Sequence, residues 1–171
     1  MFGVEHTYSE QFAKRVTSTR QDHAIEGQSI LRAAREDLAG GHLVTVKALV
    51  AADLFADFLD MAYYLLAEGY KDASAVMIGS VLEEHLRQLC HKHGIPVEVP
   101  TPKGKLVPKK ADVMNADLTK AGVYTSIDQK AATGWLALRN SAAHGEYDEY
   151  SADQIRLMQQ GVVGFLARIP L

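Results

Sequence analysis

Residues 43–67 read LVTVKALVAADLFADFLDMAYYLLA, and the spacing of their apolar side chains decides the fold class. Leu43, Val46, Val50, Leu54, Phe58, Met61 and Leu65 recur at steps of three and four, the period of one face of an α-helix about seven turns long. Phe55, Leu59, Ala62 and Leu66 add a second stripe, so this helix is expected to be central, with apolar neighbours on two sides. Lys47, Asp53, Asp57 and Asp60 interrupt the stretch, which argues against a membrane span.

The same period extends in both directions. Upstream, Ile25, Leu31, Ala34 and Leu38 make one stripe; downstream, a helix capped by Asp72 is expected to carry Ala75, Ile78, Leu82, Leu86 and Leu89 on one face. Ile127, Ala131, Trp135, Leu138 and Ala142 predict a further helix, and a short one fits residues 111–120. The last helix opens with the capping-box pattern Ser151-Ala152-Asp153-Gln154 and continues through Ile155, Met158, Val162 and Phe165. Pro96, Pro100, Pro102 and Pro108 crowd into one segment, leaving the flanking stretches free of helix-breaking proline. Glycine pairs or single glycines at 40–41, 69, 94, 122 and 145 mark the breaks. Gly79, Gly134, Gly161 and Gly164 lie inside helices and read as points of close packing. Val97-Glu98-Val99 is too short, and too hemmed by proline, to be more than an edge fragment. The expectation is an all-α chain: an antiparallel up-and-down bundle of four to five main helices in a single domain, residues 1–171. Residues 1–21, anchored only by Phe12 and Val16, read as an arm or a frayed helix, and residues 95–110 as a Pro/Lys-rich loop.

Composition narrows the function classes. Apolar residues make up 47% and charged residues 23%, too rich in core formers for a disordered chain. Eighteen Lys and Arg against twenty-one Asp and Glu give a net charge of −3, so nucleic-acid binding would need a local patch. One cysteine, Cys90, excludes an internal disulfide, and residues 1–20 hold no apolar run of the signal-peptide type. A cytoplasmic protein without membrane contact is expected.

Most chemical constellations are missing: no phosphate-cradling glycine loop follows a strand, and there is no paired-cysteine or His-Glu-x-x-His motif. Cys90-His91-x-His93 offers soft donors, yet a helix C-terminus stopped by Gly94 explains it without a metal, and no metal or cofactor is expected. Lys103, Lys105, Lys109 and Lys110 crowd one segment without an acid, which fits either a solvated loop or a loop that binds RNA phosphates. The sharpest feature is Leu138-Arg139-Asn140-Ser141-Ala142-Ala143-His144-Gly145. A forked guanidinium grips a phosphate, an amide orients it, and a histidine moves a proton near neutral pH. Arg139 and His144 lie about 140° apart around an ideal helix, so they converge only if the helix loosens or ends between them. The plain alternative is a helix-end arginine followed by a capping histidine.

At these residues the sequence resembles the HEPN superfamily of small helical bundles, many of them metal-independent endoribonucleases of toxin, antiphage or RNA-processing systems. The hallmark is Arg, four to six residues, then His, often with a polar residue after the Arg; Arg139, Asn140 and His144 fit the four-residue form. Upstream, Leu82-Glu83-Glu84-His85-Leu86-Arg87 is similar to the Leu-Glu-x-x-Leu-Arg pattern of related bundles, so the likeness covers residues 72–165 apart from the Lys-rich insertion.

The resemblance implies a homodimer in which two motifs share one cleft. Arg139 would stabilise phosphate charge, His144 would act as general acid or base, and Asn140 would position either. Glu83 or Glu84 would orient Arg139 from the neighbouring helix, although a surface pair of Glu83 with Arg87 is the simpler use. Tyr63, Tyr64 and Trp135 could serve an interface or the core. Some relatives carry a tyrosine two residues after the histidine that an antitoxin partner modifies; here Glu146 holds that place and Tyr147 follows one position late. The acids Glu146, Asp148, Glu149 and Asp153 would repel an RNA backbone. A non-catalytic interaction module, binding a partner protein or nucleotide, is the alternative; it predicts Arg139 in a structural salt bridge with Glu83, Glu84 or the acids of 146–153.

Overall fold

The computed structural model describes residues 7–18, 21–39, 42–102 and 104–171. The chain divides into two compact units, Met1–Ala51 and Ala52–Leu171. In the first, α1 (Thr7–Arg15) packs on α2 (Gln21–Ala39), with Phe12 and Val16 resting against Gly27. The described residues 7–18 therefore hold α1, anchored by the two expected side chains. On α2 the buried positions are Ile30 and Ala34, whereas Ile25 and Leu31 face solvent, a correction to the expected stripe. Gly40, Gly41 and the side chains of Leu38, Leu43, Val46 and Val50 lie outside the described residues.

The boundary between units falls inside α3 (His42–Ala67). In the second unit Phe55, Leu59 and Ala62 of α3 are buried, while Leu54, Phe58 and Met61 are exposed. The stripe expected to lead the core is thus the outer one. The central helix is instead α4 (Lys71–Lys92), which packs on α5 (Ala111–Lys120), α6 (Ser126–His144) and α7 (Ala152–Arg168). It can do so because Ala75, Ile78, Leu82, Leu86 and Leu89 are joined by buried Ser74, Val81, His85 and Cys90, which extend the apolar stripe around the cylinder. Ser74 Oγ donates to the Ala62 carbonyl at 2.8 Å and Gln159 Nε2 to the Leu59 carbonyl at 3.0 Å, tying α3 to α4 and α7.

Helix ends follow local chemistry. Ser151 caps α7 with the reciprocal Gln154 contact, as its pattern predicts, and Ile155, Met158, Val162 and Phe165 are buried. Thr125 and Asp128 form a second capping box at the start of α6. Asp72, expected to cap α4, lies inside its first turn; Tyr70 occupies the cap position without a side-chain bond. The phase of α6 also differs from expectation. Ile127 is exposed, Ala131, Trp135 and Leu138 are half-buried, and Ala132, Leu136 and Ala142 face the core. Gly161 admits the Trp135 ring, where a Cβ would overlap it, but nothing approaches Gly134 or Gly164 closely.

Residues 95–110 form a two-stranded antiparallel hairpin, β1 (Glu98–Pro100) with β2 (Leu106–Pro108), Val99 opposite Val107. The described residues are otherwise mostly helical, which is consistent with the all-α class. Among the described residues no helix is long and apolar enough to cross a membrane.

Candidate functional site

The helices α4 and α6 run antiparallel, and the tightest point of their seam is Gly79. A Cβ there would overlap Cβ and Cγ of Arg139, so glycine lets the arginine stem lie directly on the α4 backbone. From that position the guanidinium reaches one turn along α4, where Nη2 donates to Glu83 Oε2 at 2.5 Å. Its Nη1 donates to Asn140 Oδ1 at 3.0 Å. The other oxygen of Glu83 accepts from Arg87 Nη2 at 3.0 Å, and Arg87 Nε lies 3.5 Å from Glu84 Oε2. Two arginines and two glutamates therefore balance to zero charge. The Arg139 and Glu83 side chains keep 28% and 24% of their surface exposed, so one edge of the array faces water.

The helix α6 continues unbroken through His144, its last residue, and closes on Gly145 in the left-handed conformation at φ +81°. His144 is exposed. Because the helix ends after His144 and not before it, Arg139 and His144 leave the cylinder about 140° apart and do not converge within one chain. Tyr147 opens a single 3-10 turn (Tyr147–Glu149) and is half exposed.

The structure thus brings Glu83, Arg139 and Asn140 together, joins Glu84 to them through Arg87, and sets His144 at the adjoining helix end. The lysines go elsewhere. Lys109 Nζ pairs with Asp117 Oδ2 of α5 at 2.6 Å and is nearly enclosed, which corrects the reading of a freely solvated loop. Lys105 and Lys110 are exposed on the hairpin, and Lys103 lies outside the described residues. Among the described residues no hydrogen bond or ion pair joins these lysines to Arg139, Asn140 or His144. The Cys90 thiol is buried, and burial raises its pKa, while His91 and His93 face water. Among the described residues no group of three or more His, Cys, Asp or Glu could hold a metal ion.

Sequence reading missed a second polar cluster at the start of α4. Lys71 Nζ donates to the carbonyls of Tyr147 at 2.5 Å and Tyr150 at 2.8 Å, and sits 4.5 Å from the centre of the Tyr150 ring. The Tyr150 hydroxyl donates to Asp72. Burial, then this contact with a carboxylate, holds the hydroxyl well above the ordinary tyrosine range. Partners nearly eighty residues apart leave no local spacing to detect. Comparison with protein-family models, curated proteins and solved structures finds no match.

Proposed function

We propose that the chain is a HEPN-type, metal-independent endoribonuclease of the toxin or antiphage kind, with a composite site completed by a second copy. The observation that carries this reading is the clamp on Arg139: a carboxylate fixes one end of the guanidinium, an adjacent amide holds the other, and part of the group still meets solvent. Gly79 lets the arginine stem lie against the α4 backbone, since a Cβ there would meet Cβ and Cγ of Arg139.

A guanidinium held in this way is pre-set for a phosphate. The ribose 2′-oxygen attacks the adjacent phosphorus, and the bond from phosphorus to the 5′-oxygen breaks. The products are a 2′,3′-cyclic phosphate and a 5′-hydroxyl. One His144 takes the proton of the 2′-hydroxyl, and the His144 of the second copy returns a proton to the 5′-oxygen. Arg139 stabilises the charge gathered on the non-bridging oxygens, and Asn140 sets its angle. Two copies supply the convergence that one helix denies.

The test is cleavage of total RNA and tRNA in EDTA by wild type, Arg139→Ala and His144→Ala. Activity should fall at least about a hundredfold in each variant, with cyclic phosphate at the product ends. Cleavage that survives both substitutions overturns the reading. The second reading, a non-catalytic interaction module for a protein or nucleotide partner, is favoured by the salt bridge of Arg139 with Glu83, the pairing it predicts, and by the zero net charge of the Glu83, Glu84, Arg87 and Arg139 array. It predicts an intact wild-type dimer that cleaves neither RNA.

A further inference from the structure

One helical turn from Arg139, at the opposite end of the α4–α6 seam from Glu83, the surface opens into a groove of about 540 Å³. It is lined by Val76, Met77 and Ala142, by Tyr70 and Tyr147, and by Asp72. Both tyrosines are largely open to solvent, at 63% and 50%. The groove is built rather than frayed: Lys71 fixes the carbonyls of Tyr147 and Tyr150, and Tyr150 is locked to Asp72.

The segments that supply the lining are acidic: residues 68–77 and 142–150 carry Glu68, Asp72, Glu146, Asp148 and Glu149 against a single lysine, Lys71. That lysine is engaged by the two carbonyls and the Tyr150 ring. An RNA backbone is repelled by such a rim. A cationic side chain meets two exposed tyrosines, an aspartate and apolar neighbours for its methylene stem. We infer that this groove docks a basic segment of a partner protein, an arginine-bearing peptide with apolar neighbours. The inference stands apart from the cleavage chemistry, because its residues touch neither Arg139 nor the reacting phosphate.

The probe is a fluorescein-labelled hexapeptide of alternating leucine and arginine, titrated into the full chain and read by anisotropy. A glutamate-for-arginine hexapeptide and a labelled RNA hexanucleotide run beside it. The arginine peptide should bind, and Tyr70→Ala with Tyr147→Ala should weaken it roughly tenfold at unchanged net charge. Nuclear magnetic resonance shifts induced by Nα-acetyl-argininamide should centre on Tyr70, Met77 and Tyr147, a readout that needs no variant. Equal affinity of the double variant, binding of the glutamate peptide, shifts spread over the whole surface, or tighter binding of the RNA at these residues would each overturn the proposal.

Discussion

Two polar networks occupy neighbouring seams of the second unit and differ in what they do for the fold. Between α5 and α6, Asn115 is buried at 1% exposure. Its amide donates to the Gln129 carbonyl at 3.0 Å and to Thr133 Oγ1 at 3.1 Å, and its oxygen accepts from the Tyr124 hydroxyl at 2.7 Å. Every partner is neutral, and Tyr124 is itself stacked edge-on against Phe165 with ring centres 5.3 Å apart. Between α4 and α6, the Glu83, Arg87, Arg139 and Asn140 network is charged and about one-quarter open to water. The first network is enclosed, where a missing partner is costly; the second keeps one edge in water, which lowers that cost. The first only joins α5 to α6, whereas the second joins α4 to α6 and leaves part of a charged group accessible from outside the fold.

That contrast breaks first at Asn115. Asn115→Ala removes three side-chain hydrogen bonds from the core, leaving the Tyr124 hydroxyl only the backbone carbonyl of residue 115 and the Gln129 carbonyl its bond from Thr133, and should lower unfolding free energy by about 2–4 kcal/mol in urea melts. A loss below about 1 kcal/mol would mean that the buried network is not structural.

A comparable effect, set by pH, comes from His85. It is buried between Phe55 and Phe165, its Nε2 donates to the Ile169 carbonyl at 2.8 Å, and Nδ1 has no partner among the described residues. Burial is the main cause, with Lys92 adding repulsion against the opposing backbone bond, that lowers its pKa from 6.5 to about 4. The unfolded chain therefore binds a proton between those values and the folded chain does not. Stability contributed by the neutral ring is full above pH 6.5 and drains as pH falls toward 4, by an amount of order 3 kcal/mol. Urea melts at pH 7 and 4.5 should show this loss in wild type and a smaller one in His85→Phe; equal losses would remove His85 as the cause.

At Gly79 the effect is smaller and couples two positions. Gly79→Ala drives Arg139 off the seam and should cost about 1–3 kcal/mol. Adding Arg139→Gly, which removes both the Cβ and the Cγ that an alanine at 79 would meet, should recover part of that loss. Additive losses would show that the glycine serves some other contact.

Much of this was legible in the sequence. Steps of three and four located α3, α4, α6 and α7, the Ser151 capping box located the start of α7, and α5 occupies residues 111–120 as read. Glu83 and Glu84 were both candidates to meet Arg139, as an orienting group or as a structural salt bridge, and Glu83 is the one that does. Phase was harder to read. Both stripes of α3 are apolar, and only packing shows that Phe55, Leu59 and Ala62 are the buried ones. Ile127 opens α6 as an apolar residue in solvent, displacing the expected face by about one position. Asp72 looked like a cap because caps are local, whereas its partner Tyr150 lies 78 residues away. Proline concealed the hairpin, since Pro100 and Pro108 sit at strand ends where no ladder donor is needed.

The central claim is that Arg139 is held for chemistry on RNA and not for stability, and Arg139→Lys tests it most directly. Lysine keeps the charge and the reach to Glu83 but loses the fork. Unfolding free energy and RNA cleavage in EDTA would be measured on the same preparation. The account predicts stability within about 1 kcal/mol of wild type and cleavage down by about a hundredfold or more. Unchanged cleavage, or a stability loss with no cleavage to lose, would contradict it.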